Sequence, residues 1–136
     1  MNSLFEKEVL LLRVIESIEG LEEDSSDVTI KFTDGTYITQ YHEQDCCESV
    51  YITQVDGNAS KHIGATMISL EEKVLDSEDM SSDDLPDYYE SLTATFYTMK
   101  TSKGYLDWRF FGESNGYYSE SVNCKFITDI KASTEK

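Results

Sequence analysis

The 136-residue sequence holds only one proline, three cysteines and two histidines, and it is poor in positive charge: 11 Lys and Arg stand against 27 Asp and Glu. The formal net charge is therefore −16, with a pI near 4.2. A protein that holds DNA or RNA by releasing counter-ions needs a basic surface, so the composition argues against direct nucleic-acid binding. The same deficit argues against docking on anionic lipid. Near the N-terminus the longest apolar run is Val9 to Leu12, between Glu8 and Arg13. A secretory leader needs roughly 7 to 15 apolar residues behind a basic start, and a membrane span about 18 to 20. The cysteines are the adjacent Cys46 and Cys47 and the distant Cys124. An odd number so spaced makes a poor disulfide framework, and a reducing, cytoplasmic setting is expected.

What is present allows a packed core: 39% of residues are apolar and 12% aromatic, so the acidity does not imply disorder. The length fits a single domain over residues 1–136. Alternation of Val28, Ile30 and Phe32 with Thr29, Lys31 and Thr33 predicts a strand with one buried face. Asp34-Gly35 then predicts a two-residue hairpin turn into Tyr37 to Tyr41. A short N-terminal lead is expected to run into a strand ending near Ile18, and Val50 to Val55 reads as a further strand. Ile68 to Asp76 is expected to form a helix of about two turns, with Ser69 as N-cap and Glu72 completing a capping box. Residues 77–90, nearly without aliphatic side chains, read as a mobile acidic loop, and 131–136 as a frayed tail. Leu92 to Thr101, Tyr105 to Phe111 and Tyr117 to Ile130 predict three strands joined by turns that end in Gly104 and Gly116. The expected fold is α+β: a mainly antiparallel, meander-like sheet of about five to seven strands with one short helix.

Two local groups carry possible chemistry. His42, Glu43, Asp45, Cys46, Cys47 and Glu48 crowd six ligand-type side chains into seven positions. Adjacent cysteines on extended backbone point to opposite faces, however, and no second paired set follows, so neither metal nor cofactor is expected. One cysteine is expected to pack in the core, with Asp45 or Glu48 capping a turn. Cysteine catalysis is disfavoured because surrounding carboxylates raise a thiol pKa. The aromatic stretch Tyr105 to Glu120 puts Tyr105, Asp107, Arg109 and Phe111 on one face and Leu106, Trp108 and Phe110 on the other. It reads as a hairpin with aromatic cross-strand pairs rather than a platform for a base or sugar.

The acids are uneven. Glu16 to Asp27 holds six with no base, and Glu71 to Glu90 holds nine against Lys73 alone. Duplex DNA carries about one charge per 1.7 Å, so sixteen charges match roughly 27 Å of helix. A compact chain of this length has a diameter of roughly 35 Å, so one acidic face would suffice to imitate a short duplex if both segments shared it.

Two strings, YHEQDCCESVYI at Tyr41 to Ile52 and TFYTMKTSKGYLDWRFFGESNGYYSESV at Thr95 to Val122, resemble a family of small phage and prophage proteins carried as a domain of unknown function. Its markers, H-x-Q-D-C-C-E and G-x-S-N-G-Y-Y-S-E, correspond here to His42, Asp45, Cys46, Cys47 and Glu48, and to Ser114, Asn115, Gly116, Tyr117 and Tyr118 with their neighbours. The likeness spans most of residues 28–125 and departs after Asp56-Gly57. It implies a phage-related origin and a cytoplasmic host setting, and supplies no activity. The resulting expectation is a non-catalytic acidic phage protein that binds and inhibits a host protein with a basic surface, for instance a nucleic-acid-binding defence or restriction factor. Its candidate contact residues are Glu22, Glu23, Asp24, Asp27, Glu71, Glu72, Asp76, Glu78, Asp79, Asp83, Asp84 and Asp87. The alternative is a ligand- or metal-binding domain using His42 to Glu48 and Asn115 to Tyr118. In either case the two marker blocks, each at a strand end, are expected to be neighbours.

Overall fold

Period-two patterning dominates the chain, and in the computed structural model, which describes residues 2–3, 13–44, 47–76, 91–114 and 119–128, it gives nine strands and no α-helix among them. They are β1 (Asn2–Ser3), β2 (Ile15–Glu19), β3 (Val28–Phe32), β4 (Tyr37–Tyr41), β5 (Ser49–Asp56), β6 (Met67–Asp76), β7 (Ser91–Thr101), β8 (Gly104–Ser114) and β9 (Asn123–Ile127). All pairings are antiparallel. One sheet runs β1-β6-β7-β8-β5 and the other β2-β3-β4-β9. The architecture is therefore mainly β, in two sheets rather than one meander, although β6-β7-β8 and β2-β3-β4 are each meanders.

The expected helix at 68–76 is strand β6. Leu70, Glu72 and Val74 fall on one side and Ser69, Glu71, Lys73 and Leu75 on the other, and the ladder to β7 runs from Met67↔Thr101 to Asp76↔Thr93. The segment satisfies both periods, and pairing with an eleven-residue neighbour decides between them. Helical turns are confined, among the described residues, to a 3-10 turn at Ala59–His62, capped by the Asn58 side chain. The hairpin at Asp34-Gly35 has a longer loop than expected: β3 ends at Phe32 and β4 starts at Tyr37, with Gly35 at φ 91°. Asp34 is held there by the Thr36 hydroxyl, which with the Arg13 guanidinium keeps its carboxyl below the usual range. Residues 77–90 and 131–136 lie outside the described residues.

The sheets face each other across one core. Ile30, Phe32 and Ile38 come from the four-stranded sheet, and Ile52, Met67, Leu70, Met99, Leu106 and Phe110 from the other, all fully buried. Trp108, stacked on its cross-strand partner Tyr97 at 5.8 Å, donates its indole N–H to Gln40 Oε1 across the core at 2.8 Å. Gln40 is wholly buried. Elsewhere Ile15 N–H donates to the Ala65 carbonyl, Gly64 N–H to the Ile15 carbonyl and Met67 N–H to the Arg13 carbonyl, joining the lead of β2 to that of β6.

Replacing Gln40 by Leu strands the indole N–H in the core and should cost about 1–3 kcal/mol in urea denaturation. Adding Trp108→Phe should then cost less than it does in the parent chain, with a coupling of at least about 0.5 kcal/mol. Additive costs would mean that the bond contributes nothing.

Candidate functional site

Both marker blocks prove to be crossovers between the sheets. The chain leaves β4 in one sheet at Tyr41 and enters β5 in the other at Ser49; it leaves β8 at Ser114 and returns to β9 at Asn123. Because β4 pairs with β9 and β5 with β8, the two crossovers depart from the same end of the sandwich. Ser49 lies opposite Glu113, and Tyr41 opposite Asn123.

Polar side chains then fasten the crossovers. His42 Nδ1 lies 2.6 Å from the Ser121 carbonyl oxygen, and Nε2 lies 2.8 Å from Glu48 Oε2. Both are nearly inaccessible, at 5% and 0% side-chain exposure. The carbonyl can only accept, so Nδ1 donates, and the remaining contact needs a second proton, either on Nε2 or on Glu48. Gln44 Nε2 donates to the Glu48 backbone oxygen and, at 3.3 Å, to Oε1. On the facing crossover, buried Glu120 accepts from Thr93 Oγ1 at 2.8 Å and from the Ser114 hydroxyl. Gly112 is required by the same approach, since a Cβ there would sit 2.6 Å from the Glu120 carbonyl oxygen. Between β6, β7 and this crossover lies a cavity of about 280 Å³ that Thr93 and Glu120 line.

Glu48 is thus a buried partner of His42; Asp45, the other residue expected to cap a turn, lies outside the described residues. Cys47 is exposed and disulfide-bonded, against the expected poor disulfide framework, and Cys46, the other cysteine of the block, lies outside the described residues. The cysteine that does pack on the core is Cys124, where burial pushes the thiol up to about 12 and Gln40 Nε2 lies 3.4 Å from Sγ. Such a thiol is not a nucleophile near neutrality. His62 is also buried, with Nδ1 2.7 Å from Thr101 Oγ1; burial, then Lys61, lower its pKa from the ordinary 6.5. Asp45, Cys46, Asn115, Gly116, Tyr117 and Tyr118 lie outside the described residues. Sequence reasoning passed over Gln44, Gly112 and Glu120 as candidate residues, although all three stand inside the marker blocks.

The acids divide. Glu22, Glu23, Asp24 and Asp27 are exposed on the β2–β3 loop, which is bonded to β5 through Asp24 N–H to Ile52 O and Ile52 N–H to Ser25 O, both 2.8 Å. Glu71, Glu72 and Asp76 lie on β6, three strand spacings from β5, or about 14 Å. Glu72 accepts from the Tyr97 hydroxyl at 2.8 Å. Glu78, Asp79, Asp83, Asp84 and Asp87 lie outside the described residues.

His42→Leu removes the imidazole from a buried carboxylate and should cost about 3–5 kcal/mol. Glu48→Gln should be far milder, about 1 kcal/mol, because an amide can donate to a neutral imidazole. Equal costs in urea denaturation would contradict this pairing. His62 gives a pH dependence. Above pH 6.5 it is neutral folded or unfolded; below, the unfolded chain takes up the proton first, so the fold loses stability until the lowered native pKa is passed. Relative to His62→Gln, the parent should lose up to about 1.4 kcal/mol from pH 7.5 to 5.5.

Among the described residues, no helix is long and apolar enough to cross a membrane. No curated protein and no solved structure matches the chain. One family model does, over residues 8–124, a span that contains every strand from β2 to β8 and both crossovers. The chain therefore belongs to the DUF7448 family, a domain of unknown function.

Proposed function

We propose that the protein is a non-catalytic binding protein that presents negative charge to a basic surface on another protein. The observation that carries the reading is the β2–β3 loop, whose four exposed carboxylates are held on a backbone bonded to β5 in a chain of net charge −16. Charges fixed in advance lose little freedom on binding and steer encounter, raising association rates from about 10⁵–10⁶ towards 10⁸–10⁹ M⁻¹s⁻¹ at low salt. The groups suited to chemistry support the same reading. His42 and Glu48 are committed to each other, His62 to Thr101, and Cys124 is held as a thiol. This favours binding over the ligand- or metal-site alternative at the marker blocks. In its specific form the reading is a phage-encoded inhibitor that covers the nucleic-acid site of a host defence or restriction factor. Because β5 and β6 are separated, the fixed loop alone is taken as the primary contact, rather than one acidic face that includes Glu71 and Asp76.

The test is retention of host proteins on the immobilised full chain, followed by kinetics with the retained partner. Binding should weaken steeply with salt, compete with duplex DNA, and associate about tenfold more slowly for Glu22→Lys/Glu23→Lys/Asp27→Lys with the fold intact. A partner that binds equally in low and high salt, tolerates the triple change and still holds its nucleic acid would sink the reading.

A further inference from the structure

A hydroxyl taken out of water costs free energy unless it is hydrogen-bonded. Thr95, near the middle of β7, is only 2% exposed, and its hydroxyl has no hydrogen-bond partner among the described residues. Its neighbours on the same face do find partners. Two residues back, Thr93 Oγ1 donates to Glu120 Oε1; two residues on, the Tyr97 hydroxyl donates to Glu72 Oε2, both at 2.8 Å. The three side chains form one row, because a strand repeats its facing every second residue.

That row runs beside the cavity of about 280 Å³ lined by Glu72 and Val74 of β6, Thr93 and Thr95 of β7, and the crossover from Ser119 to Val122. Glu120 is bonded beside Thr93 and Glu72 beside Tyr97, four residues or roughly 13 Å of strand apart, with the unpartnered hydroxyl between them. Glu72 Oε1 has no partner among the described residues. Each oxygen of Glu120 accepts one hydroxyl, from Thr93 and from Ser114, and has room for a second donor. Among the described residues, the buried side-chain polar atom that lacks both solvent and a partner is Asp107 Oδ1, on the other face of the sheet; Thr95 Oγ1 and Glu72 Oε1 therefore keep surface open to the cavity. Exposed Val74, Ser119 and Ser121 stand at its rim, so a solute can reach it.

The lining selects the guest. No Lys, Arg or His among the described residues lines the cavity, so the chain does not itself neutralise the two carboxylates there. A metal ion suits the arrangement poorly, since a hard cation gathers about six oxygens around one point and these carboxylates are held at opposite ends. The volume is a little below the roughly 300 Å³ at which pockets for drug-sized ligands begin, which fits a narrow guest.

We propose that this cavity binds a short linear polyamine, an aliphatic chain with an ammonium group at each end and a third nitrogen within it. One end donates to Glu120 and the other to Glu72 Oε1. The inner N–H donates to Thr95 Oγ1, and the methylene groups lie along Val74 and Val122. The inference does not rest on the acidic-loop reading, whose residues are on the β2–β3 loop.

Isothermal titration of the full chain at fixed physiological salt tests it, with spermidine and with the diamine of equal span that lacks the inner nitrogen. Saturable one-to-one binding of spermidine is expected, about fivefold tighter than the diamine. Glu72→Gln, which keeps an acceptor for Tyr97, should weaken spermidine about tenfold. Thr95→Val should weaken spermidine about fivefold and leave the diamine unchanged, while the urea midpoint holds or rises because no hydrogen bond is lost. Glu16→Gln/Asp56→Asn removes two exposed acids outside the cavity and should leave affinity unchanged, the control for diffuse attraction to a negative protein. Absence of saturation by spermidine up to about 10 mM overturns the proposal. So does a loss in the control as large as in Glu72→Gln, or a Thr95→Val chain that loses stability and keeps its preference for spermidine.

Discussion

One buried hydrogen bond, from the Trp108 indole to the Gln40 amide, fixes how the two sheets face each other. Apolar contact is non-directional and tolerates sliding, whereas a buried donor does not. Gln40 lies in β4 opposite Cys124 of β9, and Trp108 in β8 between Tyr97 of β7 and Val55 of β5, so the bond relates five strands at once. Two residues beyond Gln40 the chain leaves its sheet at His42, and six beyond Trp108 at Ser114. Both crossovers therefore depart within six residues of the same contact.

The crossovers also change what the acidity means. Glu48 and Glu120 are buried acceptors and Glu72 takes a tyrosine hydroxyl, so three of the carboxylates that enter the charge count serve packing as well. Among the described residues, four exposed carboxylates sit together where the backbone is tied down, on the loop beside β5. The marker block His42 to Glu48 is, in its described part, an anchor. Its histidine, glutamine and glutamate hold one another and the Ser121 carbonyl.

Much of this was legible in the sequence where the signal is local. Strand β3 and the run from Leu92 onward follow from alternation and from glycine-bearing turns, and the facing of Trp108 away from Arg109 follows from period two alone. What was not legible depends on distant partners. ISLEEKVLD satisfies both the helical and the strand period, and only pairing with β7 makes it strand β6. The division into two sheets rests on β4–β9 and β5–β8 pairings across more than fifty residues, which no local pattern encodes. The Asp56–Asp107 juxtaposition is of the same kind: each aspartate reads as an ordinary polar position until the register, shifted by a bulge between Ile52 and Gln54, sets them opposite one another.

The loop bonded to β5 has a consequence for how copies of this chain behave at high concentration. β5 ends its sheet, and the outermost strand of a sheet offers unpaired backbone groups on which another strand can build. Here the N–H and C=O of Ile52, at the middle of that strand, are taken by Ser25 and Asp24 of the same molecule, and the covering segment carries four exposed carboxylates. A neighbour approaching edge to edge meets an occupied ladder and a like-charged screen, so the fold protects itself against strand-by-strand polymerisation on this side.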